Sequence, residues 1–123
     1  MCRYNEDEAT SCMVDTYTFA ANGDINMMKK ALSHQPIAAS LNASQQSFMM
    51  YSSGVYDDAN CDPNVLNHAI TVVGYGTEDG GDYWIVKNSW GTSWGDAGYI
   101  RVAISSGAGI CGIQSAAVWP VLK

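Results

Sequence analysis

His68 and Asn88 are the two side chains in this sequence whose types and spacing could support acid–base chemistry near neutral pH. Imidazole is the side chain whose ordinary pKa lets it both take and give a proton in that range. An asparagine amide oxygen can accept from one ring nitrogen, which holds the ring plane and tautomer while the other nitrogen faces a nucleophile. Residues 69–75 and 83–90 are rich in β-branched and aromatic residues, and the segment 76–82 between them is rich in turn formers, the pattern of a hairpin. Strand side chains alternate between faces, and directly paired residues share one. A register that pairs Tyr75 with Tyr83 or with Gly81 therefore sets His68 opposite Trp90 or Asn88. His68, Asn88 and Trp90 then share a face, with the indole keeping water from the His–Asn hydrogen bond, and a slip of one residue would turn Asn88 away. Taken singly, His68 reads as a half-buried strand histidine and Asn88 as a strand-end turn former. Only together with their flanking residues do they point to chemistry.

The four cysteines, Cys2, Cys12, Cys61 and Cys111, include no Cys-x-x-Cys pair and accompany only two histidines. The clustered spacing of a zinc site is missing, so no metal and no cofactor are expected. An even set suits disulfides, with four buried free thiols as the alternative.

The elements that must position these groups are legible in outline. Residues 1–20 are polar, carry their charge early (Arg3, Glu6, Asp7, Glu8) and show no clear period, so they read as an irregular entering arm ahead of a β-rich domain over 21–123. Asp24 can cap a helix near 24–34 that carries Ile25, Met28, Ala31 and Leu32 on one face and ends before Pro36. Residues 37–41 read as a strand, and Ser44 as the cap of a short helical turn near 44–50 through Phe48, Met49 and Met50. After the hairpin, residues 99–104 form a third strand and 113–118 a last one. The whole is an α+β chain with its helices early and its strands late.

At 123 residues the chain is the size of one modest domain, and with 47% apolar and 15% charged residues it can build a core. Twelve acidic against six basic side chains give a net charge of −6, which repels phosphate backbones and anionic lipid. Nucleic acid and membrane are therefore not expected partners. No apolar run approaches the length of a membrane span, and the start has no signal-peptide core. A secreted or lysosomal protein would thus have its native beginning upstream of Met1. Asn42-Ala43-Ser44 has the form of a glycosylation sequon, but such triplets arise often by chance and this one lies near a strand end, so an unmodified asparagine is the stronger reading.

Three blocks then combine: Leu66-Asn67-His68-Ala69-Ile70-Thr71-Val72-Val73-Gly74-Tyr75-Gly76, residues 82–95 with Lys87-Asn88-Ser89-Trp90-Gly91 and Trp94-Gly95, and Gly98-Tyr99-Ile100-Arg101. In order and spacing they closely resemble the papain and cathepsin L family of cysteine proteases, whose triad is Cys-His-Asn. The resemblance implies that His68 is the catalytic histidine, Asn88 its orienting asparagine, Trp90 the shielding indole and Trp94 a residue on the leaving-group side. It implies a Cys61–Cys111 disulfide, and an uncharged pocket for the substrate's second residue lined by Ser40, Leu66, Asn67, Ala69 and Ala116. The implied fold is the antiparallel, β-barrel-like right-hand domain of a two-domain enzyme, and the implied setting is lysosomal, vacuolar or extracellular.

The family's nucleophilic cysteine, in its Cys-Gly-x-Cys-Trp setting, and the glutamine that stabilises the oxyanion do not occur in these 123 residues. Neither Cys2 nor Cys12 has the helix-start context that activates a thiol. The expectation is a cysteine endopeptidase in which this chain supplies the histidine and asparagine. An N-terminal Cys-bearing half is its partner, a peptide or protein its substrate, and the isolated chain is inactive. The alternative is a truncated or degenerate module with a structural or protein-binding role. Cys2 resembles a family cysteine whose bridge partner lies in the other half, and a Cys2–Cys12 bridge or two free thiols are both open.

Overall fold

The computed structural model describes residues 1–10 and 12–123. A seven-stranded sheet carries the fold: β1 (Val14–Phe19), β2 (Ile37–Leu41), β3 (Val55–Tyr56), β4 (His68–Glu78), β5 (Gly81–Lys87), β6 (Tyr99–Ala103) and β7 (Val118–Leu122). The strand order is β1-β7-β2-β4-β5-β6-β3, so β1 and β3 are edges and the sheet is not closed into a barrel. Every neighbour pair is antiparallel except β3 with β6, which is parallel. The α+β class holds, with two short helices, α1 (Ile25–Leu32) and α2 (Gln46–Met49).

Helix α1 forms as its sequence requires. The Asp24 carboxylate accepts from the Met27 N–H at 2.9 Å, Lys29 and Lys30 lie in the last turn, and Met28 and Ala31 are buried. Strand β2 occupies residues 37–41 as its β-formers indicate, burying Ile37, Ala39 and Leu41 in alternation. The core continues through Val72, Trp84, Val86, Ile100 and Val102 of the central strands and Phe48 of α2, each at most 1% exposed.

Four local expectations are corrected. Residues 14–19 are not irregular: β1 pairs with β7 along its length, but its side chains are mostly exposed, so no alternation of burial marks it. The last strand is 118–122 rather than 113–118; residues 113–117 contain turns and fill the core with Ile113, Gln114 and Ala117. Gln114 is fully buried, its side-chain amide donates to the carbonyls of Ser105 and Gly107 at 2.6 and 3.0 Å, and its main chain bonds Ala108 and Gly23 rather than a ladder partner. Ser44 does not cap α2, which begins after Gln45 with no side-chain cap bond. The hairpin loop is not 76–82, because β4 and β5 run on to a tight turn at Asp79-Gly80, both with positive φ (50° and 79°). That conformation suits the Asp-Gly pair in a two-residue hairpin turn.

Candidate functional site

Strand β4 opens at His68, which pairs with Leu41 of β2, and Asn88 follows directly after the last residue of β5. The imidazole Nε2 lies 2.8 Å from Asn88 Oδ1. The pairing between β4 and β5 reaches this juxtaposition by a route the sequence did not show. Tyr75 pairs with Trp84, not with Tyr83 or Gly81, a shift by one residue. A β-bulge between Val72 and Gly74 then restores Val72↔Val86 and Thr71↔Lys87, the register that continues to His68 opposite Trp90. The bulge thus cancels the slip that would have turned Asn88 away.

Trp90 lies against the imidazole, with ring centroids 5.0 Å apart and planes inclined by 32°. Behind it, Phe48 meets Trp90 edge-on at 5.6 Å and Trp94 at 5.3 Å, and Trp94 Nε1 donates to the Met49 carbonyl at 3.0 Å. Phe48 is fully buried whereas Trp90 is 39% exposed, so the aromatic column runs from the core to the rim of the site. Sequence reasoning placed Phe48 on a helical turn but not under Trp90. The turn is itself braced. Ser47 Oγ bonds Asp58 Oδ2 at 2.6 Å and the Tyr56 hydroxyl at 2.8 Å, and Tyr56 packs edge-on against Phe48. The Ser47 hydroxyl and the Asn60 N–H hold the Asp58 carboxyl below its ordinary range, while burial pushes the Tyr56 phenol up.

Asn88 is 8% exposed. Its Oδ1 accepts from the Ser89 N–H at 2.7 Å as well as meeting His68, and its Nδ2 has no partner among the described residues. The Asn88 N–H donates to the Gly98 carbonyl at 3.1 Å, which ties the site to the segment leading into β6.

The five residues expected to line a pocket are only partly gathered. Ser40 and Ala69 are direct partners across β2 and β4. Ala69 lines a depression of about 360 Å³ with Asn88 and Ser89, whereas Ala116 lines another, of about 370 Å³, with Tyr17 and Phe19. Leu66 is 42% exposed beside Gly112. Asn67 is committed locally. Its Oδ1 accepts from the Ala43 N–H at 2.9 Å, and its Nδ2 donates to Ser44 Oγ at 2.6 Å and Asn42 Oδ1 at 3.3 Å.

Cys61 and Cys111 are bridged and buried, and Cys2 and Cys12 are exposed free thiols. The bridge sits beside Asn42, whose N–H donates to the Cys111 carbonyl at 2.9 Å and whose amide donates to the Asp62 carbonyl at 3.1 Å. Asn42 is 3% exposed, so in the folded chain the sequon asparagine is a structural link rather than a glycan acceptor. No cluster of three or more metal-ligating side chains occurs among the described residues, and none of their helices is long and apolar enough to cross a membrane.

The family model described as papain family cysteine protease matches residues 1–121. The chain is 42% identical over 121 residues to a cathepsin L-like proteinase of Fasciola hepatica, covering 98% of this chain and 36% of that one. It is 44% identical over 124 residues to the probable cysteine protease RD21B of Arabidopsis thaliana, covering 99% of this chain and 26% of that one. Among solved structures, the bromelain protease of Ananas comosus in complex with the E64 inhibitor superposes with a TM-score of 0.84 at 42% identity, over 94% of this chain and 54% of that one. Digestive procathepsin L2 proteinase of Tenebrio molitor superposes with 0.87 at 37% identity, over 98% and 38%. The chain therefore spans about a quarter to a third of the length of these curated relatives. Its sequence blocks, its open sheet and its matches agree: the chain belongs to the papain family of cysteine proteases.

Proposed function

We propose that this chain is the histidine-bearing half of a papain-like cysteine endopeptidase, working with a nucleophilic cysteine supplied by residues outside these 123. The observation that carries this reading is the His68–Asn88 contact at 2.8 Å beneath the Trp90 ring. Asn88 orients the imidazole through Nε2, which leaves Nδ1 to take the thiol proton. The thiolate then attacks the peptide carbonyl, and the imidazolium returns the proton to the leaving amine, so one proton travels from sulfur to nitrogen with no other acid needed. The donors that stabilise the oxyanion come from the other half.

Residues 21–123, with β1 of the arm paired to β7, serve as the C-terminal β-rich domain, and the outer face of the arm over 1–20 packs on the N-terminal one. The exposed Tyr17 and Phe19 beside Ala116 support that docking. Ser40, Leu66 and Ala69 face an apolar substrate side chain near the cleft, with Asn67 shaping its rim, whereas Ala116 lies in the separate depression beside Tyr17 and Phe19. Trp94 supports the leaving-group side through Trp90. A buried disulfide fits a lysosomal, vacuolar or extracellular setting.

The test is reconstitution. Refolding the chain with an N-terminal half that carries Cys-Gly-x-Cys-Trp restores peptide cleavage, and His68→Ala abolishes it. Unchanged cleavage in His68→Ala refutes the role of His68, and turnover by the purified chain alone refutes its dependence on the other half.

A further inference from the structure

The two ends of the Asn88 amide are alike in size and opposite in hydrogen-bonding sense, so shape alone does not decide which end faces His68. We propose that the backbone N–H of Ser89 decides it, and thereby selects which nitrogen of His68 is free to act as the base. This deepens the proteolytic reading of the site and rests on that reading for its catalytic meaning.

The Ser89 N–H donates to Asn88 Oδ1 at 2.7 Å, and turning the amide over would set that N–H against an NH2, donor against donor. The Ser89 N–H therefore fixes Oδ1 in place, and the same oxygen lies 2.8 Å from His68 Nε2. An amide oxygen carries no proton, so Nε2 must carry one. A neutral imidazole has a single N–H, which leaves the lone pair on Nδ1. The imidazolium keeps the same contact, because Nε2 donates in both charge states, and proton transfer at Nδ1 needs no rearrangement of the amide.

Asn88 Nδ2 is buried and has no partner among the described residues. A reversed amide would offer that NH2 to the Nε2 lone pair of the other tautomer and satisfy it. In the orientation that the Ser89 N–H requires the donor is left unpaired, a cost that the Ser89 contact has to offset. Ser89 acts here through its main chain, as a positioning residue that any amino acid but proline can replace in kind.

The chain has two histidines, so a His34→Gln background leaves His68 as its one imidazole. In the 15N-labelled chain, at a pH where His68 is neutral, long-range 1H–15N spectra report the tautomer ratio. The expected result is an excess of the Nε2–H form of at least about tenfold, the scale set by one buried hydrogen bond. Replacing the amide of residue 89 by an ester, which removes the N–H and little else, lowers that ratio about fivefold or more. In Asn88→Asp, where both ends are oxygens, the same ester leaves the ratio unchanged, a rescue that a merely structural role would not give. An unmodified chain with Nδ1–H equal or dominant overturns the proposal, whether or not the ester folds. So does a folded Asn88 ester chain with an unshifted ratio. The expected tautomer in a chain that yields no cleavage with any Cys-bearing half would instead count against the proteolytic reading alone.

Discussion

Removing the Cys61–Cys111 bridge should cost this chain a large part of its stability, and the size of the loss follows from chain topology. The two cysteines are 50 residues apart in sequence. In the loop-closure model, releasing a loop of about 50 residues returns roughly 14 cal/mol/K of entropy to the unfolded chain, or about 4 kcal/mol at room temperature. That is a factor of about a thousand in the folding equilibrium, against a total stability of about 5–15 kcal/mol for a typical domain. The bridge also matters locally: Cys61 lies seven residues before His68, and Cys111 accepts from the Asn42 N–H through its carbonyl. The measurement is equilibrium unfolding in urea, in a background with Cys2→Ser and Cys12→Ser, both exposed positions where substitution should matter little. Reducing that chain isolates the bridge from its atoms and should lower stability by about 4 kcal/mol, with a steeper denaturant dependence as the unfolded chain expands. Replacing both cysteines by alanine should cost about 1–2 kcal/mol more, because both sulfurs are buried. If the reduced and oxidised chains unfold within about 1 kcal/mol of one another, the entropic argument is wrong for this fold.

Two further outcomes follow from the site's surroundings. Trp90→Ala should speed exchange of the His68 Nε2 proton with solvent in NMR spectra. It should also destabilise the chain by about 1–3 kcal/mol, less than a fully buried tryptophan would, because Trp90 is 39% exposed; unaltered exchange would remove its shielding role. Ser47→Ala should raise the Asp58 pKa toward the ordinary carboxylate value, since the Ser47 hydroxyl is the largest cause lowering it. A depressed folded-state pKa contributes stability above the unfolded pKa that is lost as pH falls through the folded value. The mutant should therefore be less stable than the parent chain above about pH 4, with the difference shrinking as pH falls below it, read by carboxyl 13C titration and by unfolding as a function of pH. An Asp58 titration identical in the two chains would show that the contact is not held in solution.

Local chemistry and periodic burial were legible in the residues themselves. Asp24 announced α1 because a short carboxylate before an apolar stripe satisfies the orphan N–H groups of the first turn. Strands β2 and β6 stood out because alternate residues enter the core, and the motif blocks around His68, Asn88 and Trp90 carry the family resemblance by themselves. What only the tertiary structure decided was pairing, since partners distant in sequence leave no local mark. Strand β1 takes its place from β7 a hundred residues later and buries almost nothing, and Ile113 and Ala117 are apolar because they fill the core, not because they join a ladder. The site shows the same division. The sequence supplied a histidine, an asparagine and an indole. A bulge between Val72 and Gly74 brought them to one face, Phe48 came up beneath Trp90, Asn67 was drawn into holding residues 42–44, and a main-chain N–H at Ser89 fixed the amide. Side-chain types set what chemistry is available, but hydrogen-bond direction and strand register act over one residue and a few tenths of an ångström, and only the folded chain fixes positions that finely.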